Sequence, residues 1–219
     1  MKRKIYLCLG LVLALCLSAS AAQAALQDDV DQALSIISRF EEIPESAIPP
    51  WVLRDAKGLA ILTITKAGFI VSGRGGTGIV VARTENGWSG PSAIGSGGLG
   101  VGFQAGVQVS EYVIILNTQE AVHAFSKGGN VTLGGNLSAA LGPVGRSAEA
   151  GVAPQAAIYT YSRSQGIFAG ISLEGTVVAT RYEANEEFYG KPVYPADILS
   201  GAVKPPAGAE KLLGLLSKY

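Results

Sequence analysis

The sequence has little cysteine, little histidine and little charge, and each shortage excludes a class of chemistry. Its 219 residues include two cysteines, Cys8 and Cys16, and one histidine, His123. No cysteine follows residue 24, which excludes a disulfide, a zinc–thiolate site and a cysteine nucleophile in that part of the chain. With one histidine, a metal site would need carboxylates for its other ligands. We therefore predict no metal and no cofactor, and we interpret His123 as a packed or surface side chain.

Charged residues make up 16% of the chain, and its 17 basic residues equal its 17 acidic residues in number. A domain that binds nucleic acid usually has a clear basic excess, so we predict no nucleic-acid partner. Catalytic motifs are scarce as well. The chain has no G-x-S-x-G elbow, and pairs such as Glu186 and Glu187 are typical of a solvated surface. We predict that the protein is not an enzyme and has no catalytic residues.

No long apolar run follows residue 24, whereas the residues before it have the three parts of a signal peptide. Residues 2–4 are basic, residues 5–17 are apolar, and residues 22–24 are Ala-Gln-Ala, a typical cleavage site. A retained membrane anchor is one alternative. The apolar run has 13 residues, however, which is fewer than the ~20 that cross a bilayer as a helix.

We therefore predict that residues 1–24 are a cleaved signal peptide and that residues 25–219 form one domain, periplasmic or secreted. Cleavage removes three basic residues, which leaves 14 against 17 acidic residues and a net charge of about −3. Lipidation at Cys16 is a second alternative, although Leu15 before it is larger than the small residue that such a site prefers.

Glycine is the residue type in clear excess, with 29 in the chain. The glycines lie among Val, Ile, Leu and Tyr rather than in polar linkers, which favours β-structure with closely approaching backbones. From Gly98 to Val109, glycines and Gln104 alternate with apolar residues, so one face of this segment is nearly bare backbone. We expect another strand layer or a helix to pack against that face.

Hydrophobic periodicity predicts helices at both ends of the chain and one between them. The predicted helices are residues 26–42, a short helix that begins at the Pro-Pro pair of residues 49–50, residues 118–127 with Thr118 as N-cap, a turn at 185–189, and residues 209–218. The predicted strands are 59–65, 78–84, 98–109, 111–117, 130–141 and 156–182, of which 167–182 is one long strand or a hairpin. Residues 69–72 either continue the first strand or form a second, and residues 85–88 supply a hairpin turn of the Asn-Gly type. The fold class is α+β: a curved, mostly antiparallel β-sheet or barrel-like body with N-terminal, inserted and C-terminal helices.

Two segments, residues 73–78 and 95–100, match the G-x-G-x-x-G motif of dinucleotide-binding proteins. That motif requires a strand before it and a helix after it, and β pattern follows both segments here. We therefore predict no nucleotide site. Residues 72–78 form either a nest of backbone N–H groups that binds an anion beside Arg74, or a tight β-turn with a solvated arginine, which is the interpretation we favour.

Two sets of side chains are candidates for contact with a ligand or partner. The candidates for binding a lipid headgroup or another anion are four basic residues: Lys66, Arg74, Arg146 and Arg163. The candidates for an exposed strip that contacts a membrane or a partner protein are three aromatic residues: Tyr159, Tyr161 and Phe168.

Several segments resemble the SYLF lipid-binding domain family and occur in family order over nearly all of the chain after the leader. Among them are SGRGGTG at 72–78 and YSRSQGIFAGISLEG at 161–175; the others are residues 52–61, 66–69, 88–95, 116–117, 121–125 and 142–146. The resemblance implies a non-enzymatic lipid-binding module. In this family, eukaryotic members bind phosphoinositides, some fungal members bind actin, and bacterial members are typically exported. Members that bind membranes are thought to use an amphipathic N-terminal helix and basic residues.

Three functions follow as hypotheses. The first is a lipid- or phospholipid-binding protein of the bacterial cell envelope, whose partners are a phospholipid or similar amphiphile and the membrane surface. The second is a structural or protein-interaction module that assembles through β-edges, either as a homo-oligomer or with another envelope protein. The third is a hydrolase, which the sequence supports least. Family resemblance alone does not establish function.

Overall fold

The computed structural model describes residues 26–42, 48–69, 71–101, 106–128, 131–132, 139–141, 156–166 and 177–219. Within these residues, helices lie on both faces of a nine-stranded sheet. The helices are α1 Leu26–Glu42, α2 Pro50–Asp55, α3 Gln119–Ser126, α4 Tyr182–Tyr189, α5 Pro195–Leu199 and α6 Glu210–Leu216. The fold is α+β, as the sequence pattern predicts.

The strands are β1 Gly58–Phe69, β2 Val71–Thr84, β3 Gly87–Trp88, β4 Ser92–Val101, β5 Gly106–Leu116, β6 Val131–Thr132, β7 Ala139–Leu141, β8 Ile158–Gly166 and β9 Val177–Thr180. Their order across the sheet is β6-β9-β4-β2-β1-β5-β8-β7, and β3 pairs with β2. In the described residues every pairing is antiparallel except that of β7 with β8. The mostly antiparallel sheet that the sequence predicts is therefore confirmed. Its centre is the long β1–β2 hairpin, with β4 on one side and β5 on the other.

One face of the sheet is covered by α1, α2 and α6. Leu59 and Ile61 of β1 point to this face, where they pack with Val30, Ile37 and Phe40 of α1. All five side chains are at most 3% exposed, and burying a side chain of this kind contributes about 1.5–3 kcal/mol. The N-terminal helix is amphipathic, as predicted, but its apolar face is part of this core. A membrane contact through that face, which the family resemblance implies, would require α1 to leave the sheet.

The other face of the sheet is covered at one end by α3 and α5. The alternate residues of the same strands, such as Leu62 and Val80, pack here with Val122 and Phe125 of α3 and Leu199 of α5. A strand buried on both faces is rich in apolar residues without a polar side. This explains why the first half of β1 is continuously apolar.

Local sequence features begin and end several elements where the sequence analysis places them. Thr118 Oγ1 accepts a hydrogen bond from the backbone N of Ala121 at 3.2 Å and so caps α3. Pro50 occupies the first turn of α2, where a missing N–H costs nothing. The loop between β2 and β3 is residues 85–86, one position before the predicted Asn-Gly pair, because Gly87 already pairs with Thr84. Gly87 has φ +107° there, and Gly190 has φ +69° at the end of α4.

The structure differs from the predicted elements at several points. Residues 69–72 are neither a continuation of the first strand nor a strand of their own, because Phe69 ends β1 and Val71 begins β2. The segment 98–109 is predicted as one repeating strand, but β4 ends at Val101 and β5 begins at Gly106. The two strands pair with different partners, β4 with β2 and β9, and β5 with β1 and β8. Helix α4 begins three residues before the predicted turn, and α5 is not predicted because five residues give no measurable periodicity. No helix in the described residues combines the length and apolar character needed to cross a membrane.

Candidate functional site

The register of the central strands brings two predicted basic residues together. Lys66 of β1 lies directly opposite Arg74 of β2. Arg74 in turn faces Gly98 of β4, and Lys66 faces Gln108 of β5. Directly opposite residues of antiparallel strands point to the same face, with Cβ atoms about 5 Å apart. We call these four positions the basic row.

The basic row extends the α3-covered face beyond its apolar core. Lys66 is two and four residues from Ile64 and Leu62, whose side chains belong to that core, so all three point the same way. Gly98 gives the Arg74 guanidinium the space to lie across β4. A Cβ atom at Gly98 would come within 2.6 Å of Arg74 Nε. A residue with a Cβ atom at this position would therefore force the Arg74 side chain to move. The sequence analysis expects a strand layer or a helix over this face of the segment, but at Gly98 it is the side chain of Arg74 that lies there.

Buried polar atoms adjoin the two cations. Gln108 is 5% exposed, and its Nε2 atom has no hydrogen-bond partner among the described residues. The same is true of the buried Oγ atom of Ser96, which is one row closer to the core on β4. Buried polar groups in folded proteins are nearly always hydrogen-bonded. An amide N–H and a hydroxyl beside two cations are suitable donors for an anion such as a phosphate group.

Tyr112 closes the core side of this cluster on β5. Burial raises the pKa of its hydroxyl, whereas a hydrogen bond with Ser110 and the positive charge of Arg74 oppose that rise. Tyr112 is therefore a neutral hydroxyl at physiological pH, close enough to feel the charge of Arg74. The cluster as a whole combines two cations with neutral donors.

On the opposite face, α1 is held across the strands by polar side chains. Asp29 accepts hydrogen bonds from Thr77 Oγ1 at 2.6 Å and from Arg181 Nη1 at 2.5 Å. Further along α1, Gln32 Nε2 donates to Thr63 Oγ1 at 3.1 Å. Burial raises the pKa of the Asp29 carboxyl, although Thr77 and Arg181 both favour its charged form. This carboxylate is thus a buried ion whose charge depends on its partners.

Arg39, near the end of α1, makes the last of these contacts. Its Nη2 and Nε atoms donate to the two carboxylate oxygens of Glu111 on β5, at 2.5 and 3.2 Å. Together with the Asp29 and Gln32 contacts, this ion pair fixes α1 across β2, β1 and β5. An open groove of about 880 Å³ lies beside the first turns of α1, and Gly75, Gly97 and Thr65 are part of its floor.

Of the other two predicted basic residues, the structure describes Arg163, which does not join Lys66 and Arg74. Arg163 of β8 lies opposite Glu111, on the face covered by α1, and it is partly exposed. Arg146 and Phe168 lie outside the described residues. Of the four basic candidates, the structure therefore brings one pair together and places Arg163 on the other face.

The predicted exposed aromatic strip is wrong for Tyr159 and Tyr161. Their side chains are 7% and 4% exposed and belong to the core under α1. The reason is the pairing of β8 with β5, which places Tyr161 opposite Val113 and Tyr159 opposite Ile115. Burial also raises the pKa of the Tyr161 hydroxyl. These tyrosines stabilise the sheet and do not form a contact surface.

The two glycine-rich motifs of the sequence, residues 73–78 and 95–100, lie within β-strands. Residues 72–78 form neither an anion-binding nest nor a tight turn, because all of them belong to the continuous strand β2. Residues 95–100 lie within β4. Neither segment has the strand–loop–helix arrangement that the dinucleotide motif requires. His123 is an exposed residue of α3.

Sequence reasoning missed Gln108 and Ser96 as members of the cluster. A usable indication was present for Gln108, since it is a polar residue between Val107 and Val109 in an alternating segment. Ser96 gives no such indication, because it stands in a run of small residues. Its role depends on the register between β2 and β4, which places it opposite Gly76.

The fold and site together define a class: an α+β domain with a helix-covered antiparallel sheet and a polar, basic, glycine-rich end. Comparison with known proteins then gives the family. The family described as "Ysc84: Las17-binding protein actin regulator" matches residues 97–219. The chain belongs to this family, which confirms the resemblance to the SYLF domain.

Relatives at about half identity span most of the chain. Human "SH3 domain-containing YSC84-like protein 1" is 50% identical over 202 residues, which cover 89% of this chain and 59% of the relative. "Protein YSC84" of Saccharomyces cerevisiae is 50% identical over 177 residues, which cover 78% of this chain and 38% of the relative. "LAS seventeen-binding protein 3" of the same species is 46% identical over 202 residues, which cover 88% of this chain and 44% of the relative. The chain therefore spans between 38% and 59% of the length of these relatives, which is less than two thirds.

Proposed function

We propose that this protein is a non-enzymatic phospholipid-binding protein of the bacterial cell envelope, exported by its leader, and that the basic row binds the lipid headgroup. The observation that supports this most is the direct pairing of Lys66 with Arg74. Two cations on facing positions of adjacent strands lie side by side on one face of the sheet, and such a concentration of positive charge attracts an anionic headgroup. The buried donors Gln108 Nε2 and Ser96 Oγ are placed to complete its hydrogen bonds.

The position of the pair favours a headgroup over a small enclosed ligand. Lys66 and Arg74 lie three residues from the end of their strands, where Phe69 pairs with Val71. Their half-buried side chains are therefore near an end of the sheet that a membrane surface can approach. The apolar face of α1, by contrast, is already used by the core.

Vesicle flotation tests this proposal. The exported protein should float with vesicles that contain phosphatidylglycerol and less well with purely zwitterionic vesicles, and the binding should weaken as salt is added. In the variant Lys66→Gln/Arg74→Gln, the partition coefficient should fall about 30-fold, because each basic residue near an anionic surface contributes about 1 kcal/mol.

Arg163→Gln is the matched control, since it removes one positive charge from the opposite face. Its partition coefficient should change no more than about twofold, because a charge away from the contact is screened. An unchanged double variant, or an equal loss in Arg163→Gln, would contradict the site. No flotation of the parent protein with any vesicle would contradict the function.

A protein-interaction module is the second candidate, because the matched family is described as Las17-binding. It predicts a partner contact that is independent of Lys66 and Arg74. Assembly through β-edges is less well supported: among the described residues, the outermost strands β6 and β7 have two and three residues, and short edges discourage pairing. Light scattering on the exported protein would show a homo-oligomer as a molar mass of two or more chains.

A further inference from the structure

The sheet has a second exposed surface on the α1 side, directly behind the basic row. Val107 and Val109 of β5 are 58% and 39% exposed there, which is unusual for valines in a strand. Their neighbours on the adjacent strands are small and exposed. We call this surface the bare face; its residues are Thr65, Ala67, Gly73, Gly75, Gly97, Val107 and Val109.

Among the described helices none covers the bare face, because α1 crosses the sheet before reaching it. The polar contacts of α1 with Thr77, Thr63 and Glu111 lie one row nearer the core than Gly75, Thr65 and Val109. The glycines are not required by packing within the described chain. A Cβ atom at Gly73 or Gly97 would meet none of its heavy atoms within 4 Å.

The β1–β2 hairpin contributes residues to both the basic row and the bare face, and its sequence beyond Lys66 and Arg74 is mostly apolar. The seven residues between Lys66 and Arg74 include no charged residue, and Phe69 pairs with Val71. From Lys66 to Phe69 the strand rises about 10 Å. Amphipathic segments at a membrane interface bury their apolar part about 5–10 Å below the headgroups. When Lys66 and Arg74 are level with the lipid phosphates, the end of the hairpin therefore reaches the boundary of the acyl chains.

Val107 has a matching depth on the neighbouring strand. It pairs with Ala67, one residue closer to the hairpin end than Lys66, whereas Val109 pairs with Thr65, one residue farther from it. A valine at 58% exposure, about 3 Å deeper than the basic row, gains free energy by leaving water. Charge and apolar area therefore point to the same orientation.

We infer that the β1–β2 hairpin and the start of β5 enter the interface of an anionic phospholipid bilayer end-on, with Lys66 and Arg74 at the phosphates and Val107 against the acyl chains. This inference rests on the proposed phospholipid binding and specifies how the membrane is contacted. The partner that contacts this part of the sheet is the lipid bilayer itself. The described side chains of the bare face on β1 and β2 are small, which lets lipid chains come close to these strands.

Single-cysteine labelling tests the orientation. In a background with serine at positions 8 and 16, the exported protein carries an environment-sensitive NBD dye at Val107→Cys or, as a control, at Tyr194→Cys. Tyr194 is 66% exposed at the start of α5, a helix that packs on β2 toward its other end through Leu199. With phosphatidylglycerol vesicles, the dye at 107 should brighten several-fold, shift to the blue and be quenched by bilayer-embedded quenchers. The dye at 194 should not respond.

A second pair of variants separates this inference from the proposed function. Val107→Glu should lower the partition coefficient for vesicles about tenfold, because the free energy gained by moving one valine side chain out of water is lost. Tyr194→Glu should leave the partition coefficient unchanged. Neither should change the binding of soluble short-chain phosphatidylglycerol below its micellar concentration, which Lys66→Gln/Arg74→Gln should weaken. Vesicle binding with a dye at 107 that stays in water would overturn the end-on insertion and leave headgroup binding intact. No binding of vesicles or of the short-chain lipid would overturn both.

Discussion

Replacing Arg181 with methionine should lower the free energy of unfolding by about 3 kcal/mol at neutral pH. Arg181 is the counterion of Asp29, and the two side chains are 16% and 6% exposed. Methionine keeps much of the volume but leaves the carboxylate in the core without its positive partner. Urea unfolding of the parent and the variant measures the loss as a shift in midpoint.

The penalty should depend on pH. Burial already raises the pKa of Asp29 above the ordinary 3.8, and loss of Arg181 should raise it further. A carboxyl group whose pKa is raised in the folded state favours folding below its unfolded pKa, and that contribution is lost as pH rises through the folded pKa. We therefore expect a small penalty for Arg181→Met near about pH 3 and the full penalty near about pH 7.

Two further variants make this prediction specific. Arg39→Met removes the other ion pair of α1, but its partners are 34% and 13% exposed, so the expected loss is about 1 kcal/mol or less. Asp29→Asn in the Arg181→Met background should restore much of the stability, because no buried charge remains. A pH-independent loss in Arg181→Met, or no recovery in the double variant, would show that Arg181 acts through packing alone.

Gly78→Ala should destabilise the protein by about 3 kcal/mol or more, whereas Gly73→Ala in the same strand should change stability by no more than about 0.5 kcal/mol. A Cβ atom at Gly78 would overlap the carbonyl oxygen of Ile61 and lie 2.6 Å from the Cα atom of Leu62. These are backbone atoms of β1, so relief requires the two central strands to separate. A Cβ atom at Gly73 meets open space.

Thermal unfolding of the two variants measures this contrast directly. The comparison is well matched, since both changes add one methyl group to a glycine of β2. Equal effects would mean that the glycines of β2 act through backbone entropy, which is similar at the two positions. A large loss confined to Gly73→Ala would contradict the assignment of that residue to the bare face.

Helical periodicity is enough to predict α1, because its buried side chains recur every three or four residues. The corresponding argument fails for Tyr159 and Tyr161. Alternation along a strand separates two faces but does not indicate which face is solvated. In β8 the face of Tyr159 packs under α1, and the face of Ile158 packs in the second core, so neither face at that end is free.

The pairing of Lys66 with Arg74 could not be predicted from pattern alone. Residues 69–72 are compatible with either an extension of β1 or a new strand, and register depends on which is correct. Once Phe69 pairs with Val71, the register of β1 with β2 is fixed along the whole hairpin. The contact of Asp29 with Arg181 is harder still, because the two residues are 152 positions apart and no local pattern connects them.

The segment that matches the family, residues 97–219, begins inside β4 and so omits β1 and β2. In the sheet those two strands separate β4 from β5. Without them, β4 and β5 would be two unpaired edges about 14 Å apart, too far for any backbone hydrogen bond. The matched segment therefore cannot form this sheet without the strands that precede it. Any exchange of segments at residue 97 during evolution would have had to keep both halves complementary along two full strands.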